Sequence, residues 1–344
     1  RFTSSFSQNG IGAFLVTKDI NINYLTGFPA CEAWLLVGPR QAFYITDFRY
    51  IQEAKDGLKG ISVRRYERSI YETAFSLIQG MNVKQVGIDA HHLTLAQYQM
   101  MERKRPKGIR LVRTNGLVEK LREVKGEDEI HKIRKALMVH REAHDFLKKI
   151  VRPGMSEKEA LLKLEYFVKS KGAGFSFDPI IASGANSSYP HAKVTGRKIA
   201  KHQPLLIDMG IDVEGYKSDL TRMFFLGRIP PLIKQVNDAV FEAQQRAIAK
   251  IKAGILASEV DYQARNYLAK NRLAKYFGHA LGHGVGLEIH EGPRLAQNNH
   301  SVLKEGMVIT VEPAVYIPGK FGIRIEDMVL VRKNDCEILS DDIH

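Results

Sequence analysis

Cysteine is almost missing from this 344-residue chain: Cys31 and Cys336 are the only two, far apart and in no metal-binding spacing. That excludes a thiolate zinc site and a disulfide framework, and it suits a reducing compartment. Long apolar runs are missing too. Nothing approaches the roughly 20 residues needed to span a bilayer, so no membrane association is expected. The chain opens Arg1-Phe2-Thr3-Ser4-Ser5 with no apolar signal core, so export is not indicated and a cytoplasmic location is the expectation. There is no low-complexity stretch, and the N-terminal part has no glycine-rich phosphate loop.

Acidic residues are outnumbered, 38 against 51 Lys and Arg, for a net charge of +13. The excess is dispersed, as in Arg64-Arg65, Arg103-Lys104-Arg105 and Lys148-Lys149. Aromatic residues do not interleave with it as they would on a stacking platform. The charge therefore reads as solvated surface, and no nucleic-acid partner is expected. Hydrophobic residues at 44% and charged residues at 26% are ordinary for a globular protein. The length suits two domains.

The division is expected at 1–118 and 119–344. The first part alternates strands and helices, an α/β domain. Strands are expected at 11–16, 33–37, 42–46, 61–66, 83–88 and 109–112, with a turn at Gly38-Pro39-Arg40. Helices are expected from Asp47, from Ser69 and from Thr94. No catalytic constellation occurs there, so packing, oligomerisation or covering a site is its expected role. The second part opens with a long helix after Lys125-Gly126, striped by Ile130, Ile133, Leu137, Leu147 and Ile150. His131, His140 and His144 are expected at its solvated or edge positions. Ser156 and Glu159 form a capping box, and Ser258 is expected to cap another helix. Phe175 to Ala182, Pro204 to Phe225 with a turn at Glu214-Gly215, 308–315 and 323–331 read as strands. Helices segregated against antiparallel strands make an α+β domain. Each half of it offers two helices and then strands, a hint of internal duplication.

The chemistry gathers in that second part. Residues 278–290 hold His279, His283 and His290 among four glycines. Imidazoles ligate metals and carry protons near neutral pH, and glycines allow close approach. Buried, hydrogen-bonded core histidines are the competing reading. Four carboxylates tip the balance. Asp208 ends the apolar run Leu205-Leu206-Ile207, Asp219 lies in Ser218-Asp219-Leu220-Thr221-Arg222, Glu312 in Thr310-Val311-Glu312-Pro313, and Glu326 in Arg324-Ile325-Glu326-Asp327. A carboxylate in an apolar strand is expensive unless it is paired or binds a cation. Asp208 and Asp219 suit the two arms of a hairpin turning near Gly215. Two Asp, two Glu and one His make an oxygen-rich set that favours manganese, cobalt or iron over a structural zinc site. Four carboxylates exceed the need of one divalent ion and suit a pair about 3.5–4 Å apart.

The order Asp208, Asp219, His283, Glu312, Glu326 resembles the ligand set of the pita-bread metallopeptidases. The words Tyr189-Pro190-His191, Ile207-Asp208-Met209-Gly210, His290-Glu291 and Val311-Glu312-Pro313 are similar to its Xaa-Pro branch, the prolidases and aminopeptidase P. Residues 1–118 resemble the creatinase/prolidase N-terminal domain more loosely. The resemblance implies a creatinase/aminopeptidase fold with two divalent ions, manganese first and cobalt, iron or zinc as others. Asp208 would hold one ion and His283 with Glu312 the other, while Asp219 and Glu326 would bridge. Glu312 would shuttle a proton. His191 and His290 would face the substrate, and His279 would support the pocket. Arg324 would pair with a site carboxylate. Arg294 is a candidate clamp for a substrate carboxylate, and Tyr189, Phe175 or Phe177 are candidate pocket walls, with core packing as the alternative for each. The implied substrates are Xaa-Pro dipeptides or short peptides, and the implied assembly is a homodimer. The prolidase-like dipeptidase is the first reading and the aminopeptidase P-like enzyme the second. A non-catalytic binding module and a creatine amidinohydrolase share the fold, but neither requires all five ligands.

Overall fold

The computed structural model describes residues 2–343. The chain divides into two compact units, Arg1–Arg122 and Glu123–His344.

In the first unit the elements run β1 (Ala13–Val16), α1 (Asp19–Thr26), β2 (Trp34–Val37), β3 (Ala42–Thr46), α2 (Ile51–Gly57), β4 (Ser62–Arg65), α3 (Ile70–Gly80), β5 (Gln85–Asp89), α4 (Leu95–Lys104), β6 (Arg110–Thr114) and α5 (Leu117–Arg122). One mixed sheet has the order β4-β3-β2-β1-β5-β6. Successive side chains of a strand point to opposite faces. Ala13 and Leu15 therefore join the core under α3, while Phe14 and Val16 join the opposite core with Ile22 and Ala54. Val118 belongs to that second core, and Tyr24 donates to the carbonyl of Leu121 at 3.2 Å. These contacts tie α5 to the N-terminal unit, so the division falls after Arg122 rather than after Val118. Thr94 and Gln97 form the capping box of α4. Asp47 caps nothing; it accepts from the Arg49 backbone amide at 2.8 Å and pairs with the Arg49 guanidinium, and α2 starts later.

The second unit begins with α6 (Glu127–Ile150) and α7 (Glu157–Ser170). Then come β7 (Gly174–Phe175), β8 (Ile180–Ser183), β9 (Pro204–Met209), β10 (Ile211–Val213), β11 (Tyr216–Lys217) and β12 (Leu220–Phe225). The pattern of two helices and then strands recurs with α8 (Pro231–Ile248), α9 (Ala257–Lys270), β13 (Gly282–Gly284), β14 (Glu291–Leu295), β15 (Val308–Val311), β16 (Ala314–Ile317), β17 (Phe321–Arg324), β18 (Asp327–Val331) and β19 (Cys336–Ile338). The antiparallel sheets β12-β9-β8 and β14-β13-β15-β18-β19 carry the site. The first packs under α6 and α7 through Leu147, Leu164, Ile181 and Ile207. The second packs under α8 and α9 through Val240, Val260, Ile309 and Val329.

Three local expectations need correction. The strand expected over 175–182 is two strands, β7 and β8, in different sheets. Ser258 lies inside α9, whose cap position is Leu256. His140 and His144 are buried rather than solvated or at an edge. His140 Nδ1 lies 3.0 Å from Ser218 Oγ, and the His144 ring meets Phe224 edge-on at 5.0 Å. Among the described residues, no helix is long and apolar enough to cross a membrane.

Candidate active site

Strand pairing brings the acids together. β9 and β12 are antiparallel with Asp208 opposite Thr221, which places Asp219 one residue before β12. The chain between them closes through β10 and β11, with Glu214 and Gly215 at φ 54° and 84°. Two consecutive left-handed residues are the requirement of a tight hairpin turn whose twist matches its strands. β15 and β18 are antiparallel with Val311 opposite Asp327, so Glu312 and Glu326 project from the same end of the sheet. His283 stands in the centre of β13, between two glycines. A Cβ on Gly282 would lie 2.0 Å from the Thr310 carbonyl oxygen, and one on Gly284 would lie 2.1 Å from that of Gly292. Only glycine permits that approach, which lets β13 carry the imidazole against its neighbours.

The result is one cavity of about 1100 Å3. It is lined by Asp208, Asp219, His283, Glu312 and Glu326, with His191, His279, His290, Arg294 and Arg324 around them. One ligand atom each from Asp219, His283 and Glu326 lie within 4.8 Å of one another. His283 Nε2 is 3.3 Å from Glu312 Oε1 and 3.5 Å from Asp219 Oδ2. Its Nδ1 lies 3.1 Å from the Gly284 carbonyl oxygen. A carbonyl can only accept, so Nδ1 carries a proton and Nε2 is the nitrogen turned towards the two carboxylates.

Burial sets the charge state of the acids. Desolvation pushes Asp219 and Glu326 well above the usual carboxylate range, and the neighbouring acids push each further. Asp208 is also raised by burial, against the pull of Arg324. Glu312 is lowered, because its hydrogen bond and charge interaction with His283 outweigh burial.

The site fits divalent cations. Three acids strained by desolvation and a buried Asp208 Oδ1 without a hydrogen-bond partner among the described residues are relieved by positive charge, and His283 Nε2 lies beside them as a nitrogen donor. The remaining oxygens are already oriented. Thr221 Oγ1 donates to Glu326 Oε2 at 2.8 Å, and Thr310 Oγ1 to Glu312 Oε1 at 3.3 Å.

Arg324 is the hub of these supports. Its guanidinium donates to Asp208 Oδ2 at 2.5 Å, Thr221 Oγ1 at 2.9 Å, Tyr316 OH at 2.5 Å and the Pro190 carbonyl at 3.0 Å. Tyr316 OH in turn reaches His279 Nε2 at 3.3 Å, and His279 Nδ1 lies 2.8 Å from the Ala280 carbonyl oxygen. Burial lowers the pKa of His279, which keeps the ring neutral and able to accept from Tyr316. His290 packs edge-on to His283 at 4.3 Å and is lowered by burial and then by His283. Phe177 lines the cavity. Phe175 packs in the core, and Tyr189 is exposed rather than packed. Tyr316, Thr221 and Thr310 were not singled out from the sequence. Thr221 and Thr310 lie inside words chosen for their acids, while Tyr316 sits in the plain apolar strand Ala-Val-Tyr-Ile, where only a buried hydroxyl hints at a partner.

Comparison with known proteins agrees with this geometry. The family model for the Creatinase/Prolidase N-terminal domain matches residues 1–124, and that for metallopeptidase family M24 matches residues 131–333. A curated Xaa-Pro dipeptidase of Pyrococcus horikoshii is 34% identical over 97% of this chain and 93% of its own. A solved Xaa-Pro dipeptidase from Bacillus anthracis superimposes with a TM-score of 0.95 at 34% identity, covering 99% of this chain and 96% of that one. An X-Pro aminopeptidase from Thermotoga maritima superimposes at 0.90 with 33% identity, covering 98% and 97%. With its creatinase-type N-terminal domain and pita-bread catalytic domain, this chain belongs to metallopeptidase family M24.

Proposed function

We propose that the protein hydrolyses the Xaa-Pro bond of dipeptides, using two divalent ions held by Asp208, Asp219, His283, Glu312 and Glu326. The observation that carries this reading is the convergence of four buried or half-buried carboxylates and one oriented imidazole in a single cavity. Asp208 would hold one ion, His283 with Glu312 the other, and Asp219 with Glu326 would bridge. The oxygen-rich set favours manganese, with cobalt, iron or zinc as alternatives. Bound there, such ions supply Lewis acidity and make a water acidic enough to attack near neutral pH.

The chain's own residues do the rest. Glu312, lowered by His283, starts ionised. It can take the proton of the attacking water and return it to the leaving proline nitrogen. That nitrogen needs the proton because an unprotonated amide nitrogen is too poor a leaving group, and in an Xaa-Pro bond it carries no hydrogen of its own. His191 and His290 face the substrate and donate to the developing oxyanion or to the proline end. Arg294, exposed at the cavity wall, offers a fork to the free carboxylate of a dipeptide. Arg324 orients Asp208 from behind.

An aminopeptidase acting on longer Xaa-Pro peptides is the second reading, because structures named for either activity match this chain, at 34% and 33% identity. In our reading the N-terminal unit serves homodimer formation or covers the site. Two free cysteines, Cys31 and Cys336, suit the cytoplasm. The test is a rate comparison of Ala-Pro, Ala-Pro-Ala and Ala-Ala with manganese-loaded protein. Ala-Pro should be fastest and Ala-Ala uncleaved. Preference for the tripeptide would select the aminopeptidase, and equal cleavage of Ala-Ala would remove the proline requirement.

A further inference from the structure

Among the buried acids outside the candidate metal cluster, Glu157 is the one tied to the loop that carries His191. Glu157, the first residue of α7, is 0% exposed. Its carboxylate accepts four hydrogen bonds: from the Ser183 amide at 2.7 Å on Oε1, and from Asn186 Nδ2 at 2.9 Å, the Thr195 amide at 2.9 Å and Thr195 Oγ1 at 2.6 Å on Oε2. The charge is satisfied by neutral donors alone. One of the four bonds falls on Oε1 and three on Oε2, and a carboxylate offers about four acceptor sites in all.

These donors come from the two ends of one loop. Ser183 closes β8, Thr195 lies twelve residues on, and between them runs Tyr189-Pro190-His191. Backbone bonds from Glu157 to the Arg197 carbonyl at 3.0 Å and from Lys158 to the Thr195 carbonyl at 3.1 Å hold the same base. Towards the middle, Arg324 binds the Pro190 carbonyl at 3.0 Å, and the Gly322 amide donates to Ser187 Oγ at 2.8 Å. The exposed His191 ring borders the cavity. Its place is set by the backbone that carries it, and that backbone is clasped at its base by Glu157.

We infer that Glu157 is a positioning residue: it fixes the 183–195 loop so that the His191 imidazole stands over the substrate. This rests on the substrate-facing role of His191 in the proposed function. Glutamine at 157 keeps the shape but turns an NH2 towards one set of donors, so at least one bond is lost. A small displacement of a positioned group can cost on the order of 100-fold in rate.

The test is a double-mutant cycle of Glu157→Gln and His191→Ala on Ala-Pro hydrolysis, with manganese titration and histidine ring NMR of the metal-free protein alongside. Glu157→Gln should lower kcat about 10- to 100-fold, leave the manganese isotherm unchanged, and shift the His191 ring signal while those of His283 and His290 hold. In the His191→Ala background its effect should shrink to within about twofold. A full, additive loss in that background, or an unmoved His191 signal, would overturn the inference. An unaltered rate in His191→Ala alone would remove the role of His191 itself, and the inference with it. If Glu157→Gln does not fold, Thr195→Val removes one donor to Glu157, with the bond that Thr195 Oγ1 accepts from the Arg197 amide at 3.1 Å, and should show the same non-additivity at smaller scale, additivity again overturning the inference.

Discussion

Asp208 and Arg324 form a buried pair, Oδ2 to Nη2 at 2.5 Å, in which the guanidinium occupies one carboxylate oxygen and leaves Oδ1 turned away without a hydrogen-bond partner among the described residues. One oxygen is held by the guanidinium, and the other is a buried acceptor left open. The same guanidinium reaches Thr221, which holds Glu326, and Tyr316, which holds His279. A single cation therefore orients candidate metal ligands from both sheets.

Arg324→Met is expected to leave Asp208 charged and unpaired in the interior. Breaking a buried pair from one side costs about 3–5 kcal/mol, and loss of such a support weakens metal affinity about 10- to 100-fold. Denaturant unfolding and a manganese titration measure the two effects. Arg324→Lys should recover little, because an ammonium cannot satisfy four partners set in a plane. Full recovery of metal affinity by lysine would show that charge alone suffices.

The metal-free protein should be destabilised by its own site. Burial holds Asp219 and Glu326 well above their ordinary pKa. A group raised in the native state contributes stability below its unfolded pKa, about 4 for a carboxylate. That contribution is lost as pH rises through the native value. Metal-free protein should therefore weaken as pH rises from about 4 towards neutrality, and manganese should restore it. Asp219→Asn should raise the melting temperature of metal-free protein at pH 7 and reduce the shift on adding manganese. A lower melting temperature with an undiminished metal shift would contradict this.

His140 acts in the opposite sense. Burial, then His144 and Arg222, hold its pKa well below the ordinary value. A depressed histidine contributes stability above its unfolded pKa, about 6.5. It loses that stability as pH falls towards the native value, by up to about 1.4 kcal/mol per pH unit. His140→Gln, which can still hydrogen-bond Ser218, should flatten the acid limb of the stability profile below about pH 6.5. An identical slope in the variant would remove His140 as its source.

Arg294→Met tests the carboxylate clamp. The KM for Ala-Pro should rise about 10-fold or more with kcat nearly unchanged, the mark of lost uniform binding. The C-terminal amide of the same dipeptide should be insensitive to the substitution. Equal effects on both substrates would mean that Arg294 does not read the carboxylate.

Much of the site was legible in the sequence because its cost was visible there. Asp208 and Glu312 interrupt apolar strands, and an acid in that setting needs a cation or a partner. His283 between Gly282 and Gly284 announced a close backbone approach, which the Thr310 and Gly292 carbonyls supply. The supports were harder to see. Glu157 looks like an ordinary first-turn acid of a helix, and nothing local says that Ser183, Asn186 and Thr195 will meet it. Tyr316 likewise gains meaning only from Arg324 and His279. His140 and His144 were misplaced for a different reason. They fall on the same helical stripe as Ile133, Leu137 and Leu147, and the 4-3-4-3 spacing already put them on the buried face of α6; their polarity was weighed above their position. The end of the first unit at Arg122 is visible only in three dimensions, where Val118 joins the N-terminal core.

The most direct measurement is metal content against hydrolysis in one preparation: chelated protein titrated with manganese, with bound ions and Ala-Pro turnover followed together, for the native chain and for Asp219→Ala. Two ions per chain with turnover rising alongside them, and loss of both in Asp219→Ala while the fold persists, is the expected result. Turnover that survives chelation, or that is unchanged in Asp219→Ala, would contradict the paired-cation site.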